Sequence, residues 1–160
     1  MNTDQLTSLR NHLAALLEGG HAYARPETIV AGIPADVRGT RPNGVDHSPW
    51  ELLEHLRIAQ RDMLDFSVAP TYEEIAWPKD YWPATPAPPN DETWDESVAA
   101  FLSDLDVARR LAVDEGVDLF AVVPHGTTQT YLRELLLIAD HNAHHLGQLI
   151  LVRKLLKAWP

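Results

Sequence analysis

The distribution of proline is the feature that most constrains how this chain can fold. Six of the twelve prolines lie between Pro70 and Pro89, whereas the stretch from His125 to Trp159 contains none. Proline inside a helix or a central strand removes a backbone hydrogen-bond donor. Long regular elements are therefore confined to the segments on either side of the proline-rich stretch.

The segment before residue 48 predicts one long helix and one short helix. Leucines spaced three and four apart indicate a first helix from about Asp4 to Leu17, with Thr3 as its cap. The pair Gly19-Gly20 then ends it. We expect a short helix over residues 27–32, in a stretch that Pro34 and the following prolines interrupt.

The second long helix has the clearest start signal of the chain. In Ser48-Pro49-Trp50-Glu51 a hydroxyl cap is followed by a proline in the first turn and by a glutamate three residues after the serine. This pattern predicts a helix to about Phe66. One face of that helix carries Leu52, His55, Ala59, Met63 and Phe66.

Two further long helices follow the proline-rich stretch. Thr93 and Glu96 form a second capping-box pattern, which predicts a helix to about Val113. The apolar run over residues 119–123 is too short to separate a strand from a buried turn. The last helix is predicted from about Gln129 to Lys157, with Gly147 as its one weak point.

The proline-rich stretch is either a crossover packed on the helices or an interdomain linker. Trp77, Tyr81 and Trp82 lie within it, and three large aromatic side chains favour packing over a free linker. We expect these rings to contribute to the core, although they would also suit the wall of a substrate pocket. The predicted fold is all-α: one domain over residues 1–160, a four-helix bundle with long crossover connections.

Composition excludes several classes of function. The formal charge of −10 repels phosphate backbones, so we expect no nucleic-acid partner. No apolar run reaches the roughly 18 residues that span a bilayer, and the first residues lack the pattern of a signal peptide. With no cysteine, the chain offers neither disulfides nor thiolate ligands. We therefore expect a cytoplasmic protein without a membrane partner.

Three histidines form the candidate chemical site. His141 and His145 lie four residues apart, so both imidazoles project from one helix face and can share a metal. Eight histidines in 160 residues give about 0.4 such pairs by chance, so the pair alone is weak evidence. His55 lies on an inward face of another helix, and a divalent metal would satisfy one nitrogen of each ring. Ordinary core or solvated histidines remain the alternative.

Two segments resemble the DinB/YfiT-like superfamily of bacterial four-helix bundles. They are SPWELLEHL at 48–56 and DHNAHHLGQ at 140–148, and the resemblance covers nearly the whole chain. It implies an up-down-down-up topology and frequent homodimers. It also implies a divalent metal, commonly zinc or nickel, held by one histidine of the second helix and two of the last. Those positions match His55, His141 and His145.

Three histidines leave a fourth coordination position open, as in catalytic metal sites. Relatives resemble transferases that use a small thiol such as bacillithiol, mycothiol or glutathione, so the resemblance implies that metal-bound thiolate or water does the chemistry on a small electrophilic substrate. A metal-assisted hydrolase is the runner-up. A non-catalytic, metal-binding or dimeric stress-related bundle is the third hypothesis.

Further residues are candidates around this site. Glu51 could orient His55, although its place in the capping box already explains it, and Gln148 could touch the open position or face solvent. His47 and His125 lie in loops that could border the cavity, or they are ordinary loop residues. We expect Asn142 to make packing or dimer contacts.

Overall fold

The computed structural model describes residues 2–159. The regular structure in this part of the chain is helical, and it contains no β-strand beyond one isolated bridge. Five α-helices and two short 3-10 turns make up its regular structure. The α-helices are α1 (Thr3–Glu18), α2 (Pro26–Val30), α3 (Pro49–Val68), α4 (Asp91–Val113) and α5 (Tyr131–Leu155). The all-α prediction is therefore confirmed.

The start of α3 forms as predicted. The Ser48 side chain accepts a hydrogen bond from the Glu51 backbone N–H, and the Glu51 carboxylate accepts one from the Ser48 backbone N–H at 2.8 Å. This capping box satisfies two backbone donors that the first helical turn leaves free. It also fixes the residue at which α3 begins, and so the position of His55 two turns later.

Two other predicted N-caps are wrong, because in each case an asparagine upstream of the predicted residue accepts the capping hydrogen bond. Asn2, and not Thr3, caps α1 by accepting from the Gln5 backbone N–H at 2.9 Å. Asn90, and not Thr93, caps α4 by accepting from the Thr93 backbone N–H at 2.8 Å. Asparagine is as good an N-cap as serine or threonine. In both helices the extended chain ends at this asparagine and the helix begins at the next residue.

The four long helices pack with α3 between α4 and α5, and α1 against the other side of the same pair. Trp50 lies beside Trp94, and further along Arg61 pairs with Asp104, so α3 and α4 run in the same direction. On the other side of α3, residues 55 and 60 meet residues 145 and 142 of α5, so these helices are antiparallel. Contacts between residues 10 and 112 and between residues 18 and 109 make α1 antiparallel to α4.

The proline-rich stretch packs on the bundle as a crossover. The hydroxyls of Tyr72 and Tyr81 both donate to the carboxylate of Asp62 on α3, at 3.0 and 2.6 Å. Further along, the Pro86 carbonyl accepts from the Ser48 hydroxyl at 2.5 Å. Trp77 differs from the expectation of a buried aromatic, because it is 71% exposed.

Residues 119–123 form a turn with buried ends and a single bridge. Leu119 and Val123 are buried, and Val122 pairs with Thr130 in an isolated antiparallel bridge. Thr130 then caps α5 by accepting from the Arg133 backbone N–H, so α5 begins two residues later than predicted. Backbone carbonyls of this turn accept hydrogen bonds from the first two residues of α5, the longest helix.

The buried core has two apolar halves with a polar layer between them. On α5 one half ends at Ala139 and the other begins at Leu146. The intervening turn and a half carries His141, Asn142 and His145. The candidate site therefore lies in the middle of the bundle, where α3 and α5 face each other. No helix within residues 2–159 is both long enough and apolar enough to cross a membrane.

Candidate metal centre

The structure brings the three predicted histidines together. Nε2 of His55 lies 3.1 Å from Nε2 of His145 and 3.1 Å from Nε2 of His141. One ligand atom from each ring falls within 4.8 Å of the other two. His55 is buried, whereas His141 and His145 are half-buried, so part of the group reaches the surface. These three residues could hold a metal ion.

The outer nitrogen of two rings fixes the tautomer. Nδ1 of His55 donates to the Tyr81 carbonyl at 2.9 Å, and Nδ1 of His145 donates to Oε1 of Gln148 at 2.7 Å. Since a carbonyl oxygen can only accept, each Nδ1 carries the proton, and a neutral ring then presents a lone pair at Nε2. The inward nitrogens of these rings therefore have the form that binds a metal.

The distances between the inward nitrogens fit a tetrahedral metal. Nitrogen ligands at about 2.0–2.1 Å from a tetrahedral zinc ion lie about 3.3–3.4 Å from one another. The two separations from Nε2 of His55, both 3.1 Å, are close to this value. Two lone pairs at such a distance repel each other unless a proton or a cation lies between them. The donor set suits a divalent metal that accepts imidazole ligands.

The electrostatics of the site favour neutral rings. Burial, helped by the neighbouring histidines, lowers the pKa of His141 to about 3. Burial also lowers the pKa of His145 to about 4, against a hydrogen bond to Gln148 that raises it. The pKa of His55 is lowered by burial as well. At neutral pH all three rings are therefore neutral, the charge state that metal binding requires.

One aromatic ring of the crossover covers the site. The Trp82 indole stacks on His55 with ring centroids 3.9 Å apart and planes 1° apart. His47 stacks on the opposite face of the indole at 4.2 Å and 15°. His47 thus borders the site through Trp82, and the crossover supplies both the Tyr81 carbonyl and this cover.

Two predicted neighbours of the triad lie elsewhere. The Glu51 carboxylate accepts from Ser48 and Arg41, and although burial alone would raise its pKa, these bonds hold that pKa below its usual value. Glu51 therefore belongs to the helix cap. Nε2 of His125 donates to the Ala69 carbonyl at 2.8 Å, beyond the far end of α3. Gln148, in contrast, bonds directly to a ring of the triad.

The polar layer holds two residues whose role the sequence did not indicate. Asn142 is 3% exposed, and its Nδ2 donates to Oε1 of Gln60 at 2.7 Å. Gln60 is 0% exposed and donates in turn to the Phe101 carbonyl at 2.8 Å. The only available signal was a polar residue on the inward side of each helix. His144 is exposed, with its ring edge-on to His145.

Surface cavities lie beside the site without including the triad. One of about 490 Å³ lies between the starts of α3 and α4 and the crossover residues 83–85 and 89. Another, of about 220 Å³, lies beside Asp62 and Tyr72. None of the five cavities outlined over residues 2–159 is lined by a histidine of the triad.

Comparison with known proteins identifies the family. No curated protein and no solved structure matches the chain significantly. The family model of the DinB superfamily matches residues 19–149, which include α3, α4 and the part of α5 that carries the histidines. The match therefore spans most of the chain and all three ligand positions. The chain belongs to the DinB superfamily.

Proposed function

We propose that this protein holds zinc or nickel through His55, His141 and His145 and is a transferase that joins a small thiol to an electrophilic molecule. The observation that carries the proposal is the convergence of three Nε2 atoms in the polar layer. Membership of the DinB superfamily supports it. His141 and His145 are only half-buried, so the group is not sealed from the surface.

The residues of the chain would perform separate parts of this activity. A bound divalent cation lowers the pKa of a coordinated thiol, so that the thiol is a nucleophile at neutral pH. The Tyr81 carbonyl and Gln148 hold the ring protons on Nδ1 and so aim Nε2 inward. Trp82 keeps water from one face of His55. Because the chain has no cysteine, the thiol must come from a second substrate such as bacillithiol, mycothiol or glutathione.

The first test is metal content followed by turnover. Protein purified without a histidine tag or chelator should contain about one zinc or nickel per chain by elemental analysis. His141→Gln and His145→Gln should each lower this content severalfold, because the site loses metal affinity with each ligand that is removed. His144→Gln is the matched control, since it removes an exposed neighbouring imidazole that is not one of the three converging rings.

The activity is tested with the metal-loaded protein, a panel of small thiols and a panel of electrophiles. We expect thiol-dependent conjugation that the His144→Gln control keeps and the ligand variants lose. Turnover of esters or amides without any thiol would show that the protein is a metal-assisted hydrolase and not a thiol transferase. Unchanged metal content in a His55, His141 and His145 triple variant would contradict the proposal that these residues bind the metal.

A second candidate is a metal-binding bundle without turnover. The cavities are the observation that favours it, because none of the five includes a triad residue. Under this alternative the metal would be present and would stabilise the fold, but no thiol would be consumed. Stoichiometric metal together with inactivity across both panels would favour this candidate over the transferase.

We also propose the family's up-down-down-up helix order and a homodimer. The pairwise helix directions described above support the order of α1, α3, α4 and α5. Three exposed leucines of α5 support the dimer: Leu136, Leu151 and Leu155 are 45%, 54% and 51% exposed. They lie within about 100° of one another around the helix, on one side that also carries the exposed Asp140 and His144.

A further inference from the structure

The His141 ring differs from the other two rings of the triad in how its outer nitrogen is held. Nδ1 of His55 and Nδ1 of His145 each donate to an oxygen at hydrogen-bond distance. Within residues 2–159, Nδ1 of His141 makes no aligned hydrogen bond, although it is buried. A buried polar nitrogen without a partner is costly, so a group that can bond to this nitrogen should lie close by.

The neighbouring residue offers that acceptor. Oδ1 of Asn142 is also buried and also lacks an aligned partner within the described residues. Burial dominates the lowered pKa of His141, but the Asn142 amide lies near enough to the ring to act on it in the opposite direction. The terminal torsions of histidine and asparagine are broad, so a small rotation can align the two groups.

The orientation of the Asn142 amide follows from the residues behind it. The Phe101 carbonyl can only accept, so the atom of Gln60 that faces it is the Nε2 donor. Oε1 of Gln60 is then the acceptor for Asn142, which must present Nδ2 to it at 2.7 Å. Oδ1 of Asn142 therefore remains available as an acceptor. A chain of bonds that begins at a backbone carbonyl of α4 ends with an acceptor beside the triad.

We propose that Gln60 and Asn142 form a directed hydrogen-bond relay from the Phe101 carbonyl to Nδ1 of His141, and that this relay keeps the ring proton on Nδ1 and Nε2 aimed at the metal. Both amides are positioning residues, since they act on the metal through His141. The proposal rests on metal binding by the triad. It predicts that the relay tunes affinity in the way that hydrogen-bond partners of ligand histidines do.

Four variants test the relay by zinc titration. Asn142→Leu removes the acceptor and should weaken zinc binding by about 10–100-fold. Asn142→Asp keeps an acceptor for Nδ1 but cannot donate to Gln60, so it should destabilise the fold while zinc affinity stays near that of the wild type. Gln60→Met frees the Asn142 amide to turn, and should weaken zinc binding less than Asn142→Leu does. Leu64→Ala, in the apolar half of the core away from the site, should lower stability and leave zinc affinity unchanged.

Nuclear magnetic resonance supplies a second readout. In the zinc-loaded wild type, the Nδ1–H proton of His141 should give a resolved signal protected from exchange with water, and Asn142→Leu should lose that protection. In the metal-free protein, the side-chain NH₂ protons of Gln60 and Asn142 should be protected, which tests the chain of bonds without any metal.

The outcomes separate the two proposals. Equal zinc affinity in the wild type and Asn142→Leu, or unprotected amide protons in the metal-free protein, would overturn the relay and leave the metal site standing. A parallel loss of affinity in Asn142→Asp and Leu64→Ala would reduce Asn142 to a structural residue. A wild type that binds no zinc or nickel would overturn the proposed function, and with it the role assigned to the relay.

Discussion

The three candidate ligand rings are buried or half-buried, without any carboxylate among their hydrogen-bond partners. A carbonyl, a side-chain amide and the proposed relay hold their outer nitrogens, and all of these groups are neutral. Neutral acceptors orient an imidazole but do little to stabilise its protonated form, so burial dominates and lowers each pKa. The protein therefore presents three neutral rings to a cation at physiological pH.

The metal-free protein should lose stability as the pH falls below about 6.5, the ordinary pKa of histidine. Above this pH the rings are neutral in both the folded and the unfolded chain. Below it the unfolded chain binds protons first, because the folded pKa values are about 3 for His141 and about 4 for His145. The free energy of unfolding should therefore decrease from pH 6.5 down to those values.

Urea unfolding at pH 7, 6 and 5, with chelator present, measures this dependence. The double variant His141→Gln, His145→Gln should lose less stability over the same range. Identical pH dependence in the wild type and the double variant would mean that other groups cause the acid sensitivity.

At the scale of elements, the crossover is fitted closely to the loop that precedes α3. A Cβ atom at Gly39 would lie 2.4 Å from Cβ of Ala87 and 3.0 Å from its Cα. The approach is next to the Ser48 bond to the Pro86 carbonyl, so loop and crossover meet over the start of α3. This contact helps place the part of the crossover that carries Trp82.

Gly39→Ala should destabilise the fold by about 1–3 kcal/mol, because backbone atoms of the crossover must move to admit the methyl group. Gly147→Ala is the matched control: its Cβ would meet nothing within 4 Å, and it lies inside α5. There alanine should stabilise by about 0.5–1 kcal/mol. Chemical denaturation of both variants measures the difference, and a neutral Gly39→Ala would show that the crossover yields easily.

Local signals predicted the elements, and contacts between distant residues made the site. The capping box at Ser48 was predictable because its partners lie three residues apart. The caps at Asn2 and Asn90 were missed because several suitable residues stand close together, and the first one reached prevails. The inward positions of His55, His141 and His145 followed from helix periodicity together with the resemblance of their motifs.

The surroundings of the triad were not predictable in the same way. Trp82 stacks on a residue 27 positions earlier, and Asn142 bonds to a residue 82 positions earlier. Periodicity places a side chain on a helix face, but it does not say which residue of another segment lies opposite. Helix packing and the path of the crossover decide those pairs.

At the scale of the whole molecule, the side of α5 that carries the exposed leucines is the proposed dimer interface. A monomer has a mass of 17.9 kDa. We expect light scattering after size-exclusion chromatography to give twice this mass, and Leu151→Glu to return it to the monomer value. Phe120→Glu is the control, because Phe120 is 52% exposed but lies outside α5. A monomeric wild type, or dimers lost equally in both variants, would argue against this face as the interface.

The stacking of Trp82 on His55 also gives the protein an optical property. An indole 3.9 Å from a ligand ring is close to whatever the triad holds. A metal with unpaired electrons, such as nickel in many of its complexes, would quench the emission of this indole, whereas closed-shell zinc would leave it bright. Of five tryptophans, the one in contact with the site would respond most. If the triad holds a metal as proposed, the chain carries its own fluorescent reporter of which metal is bound.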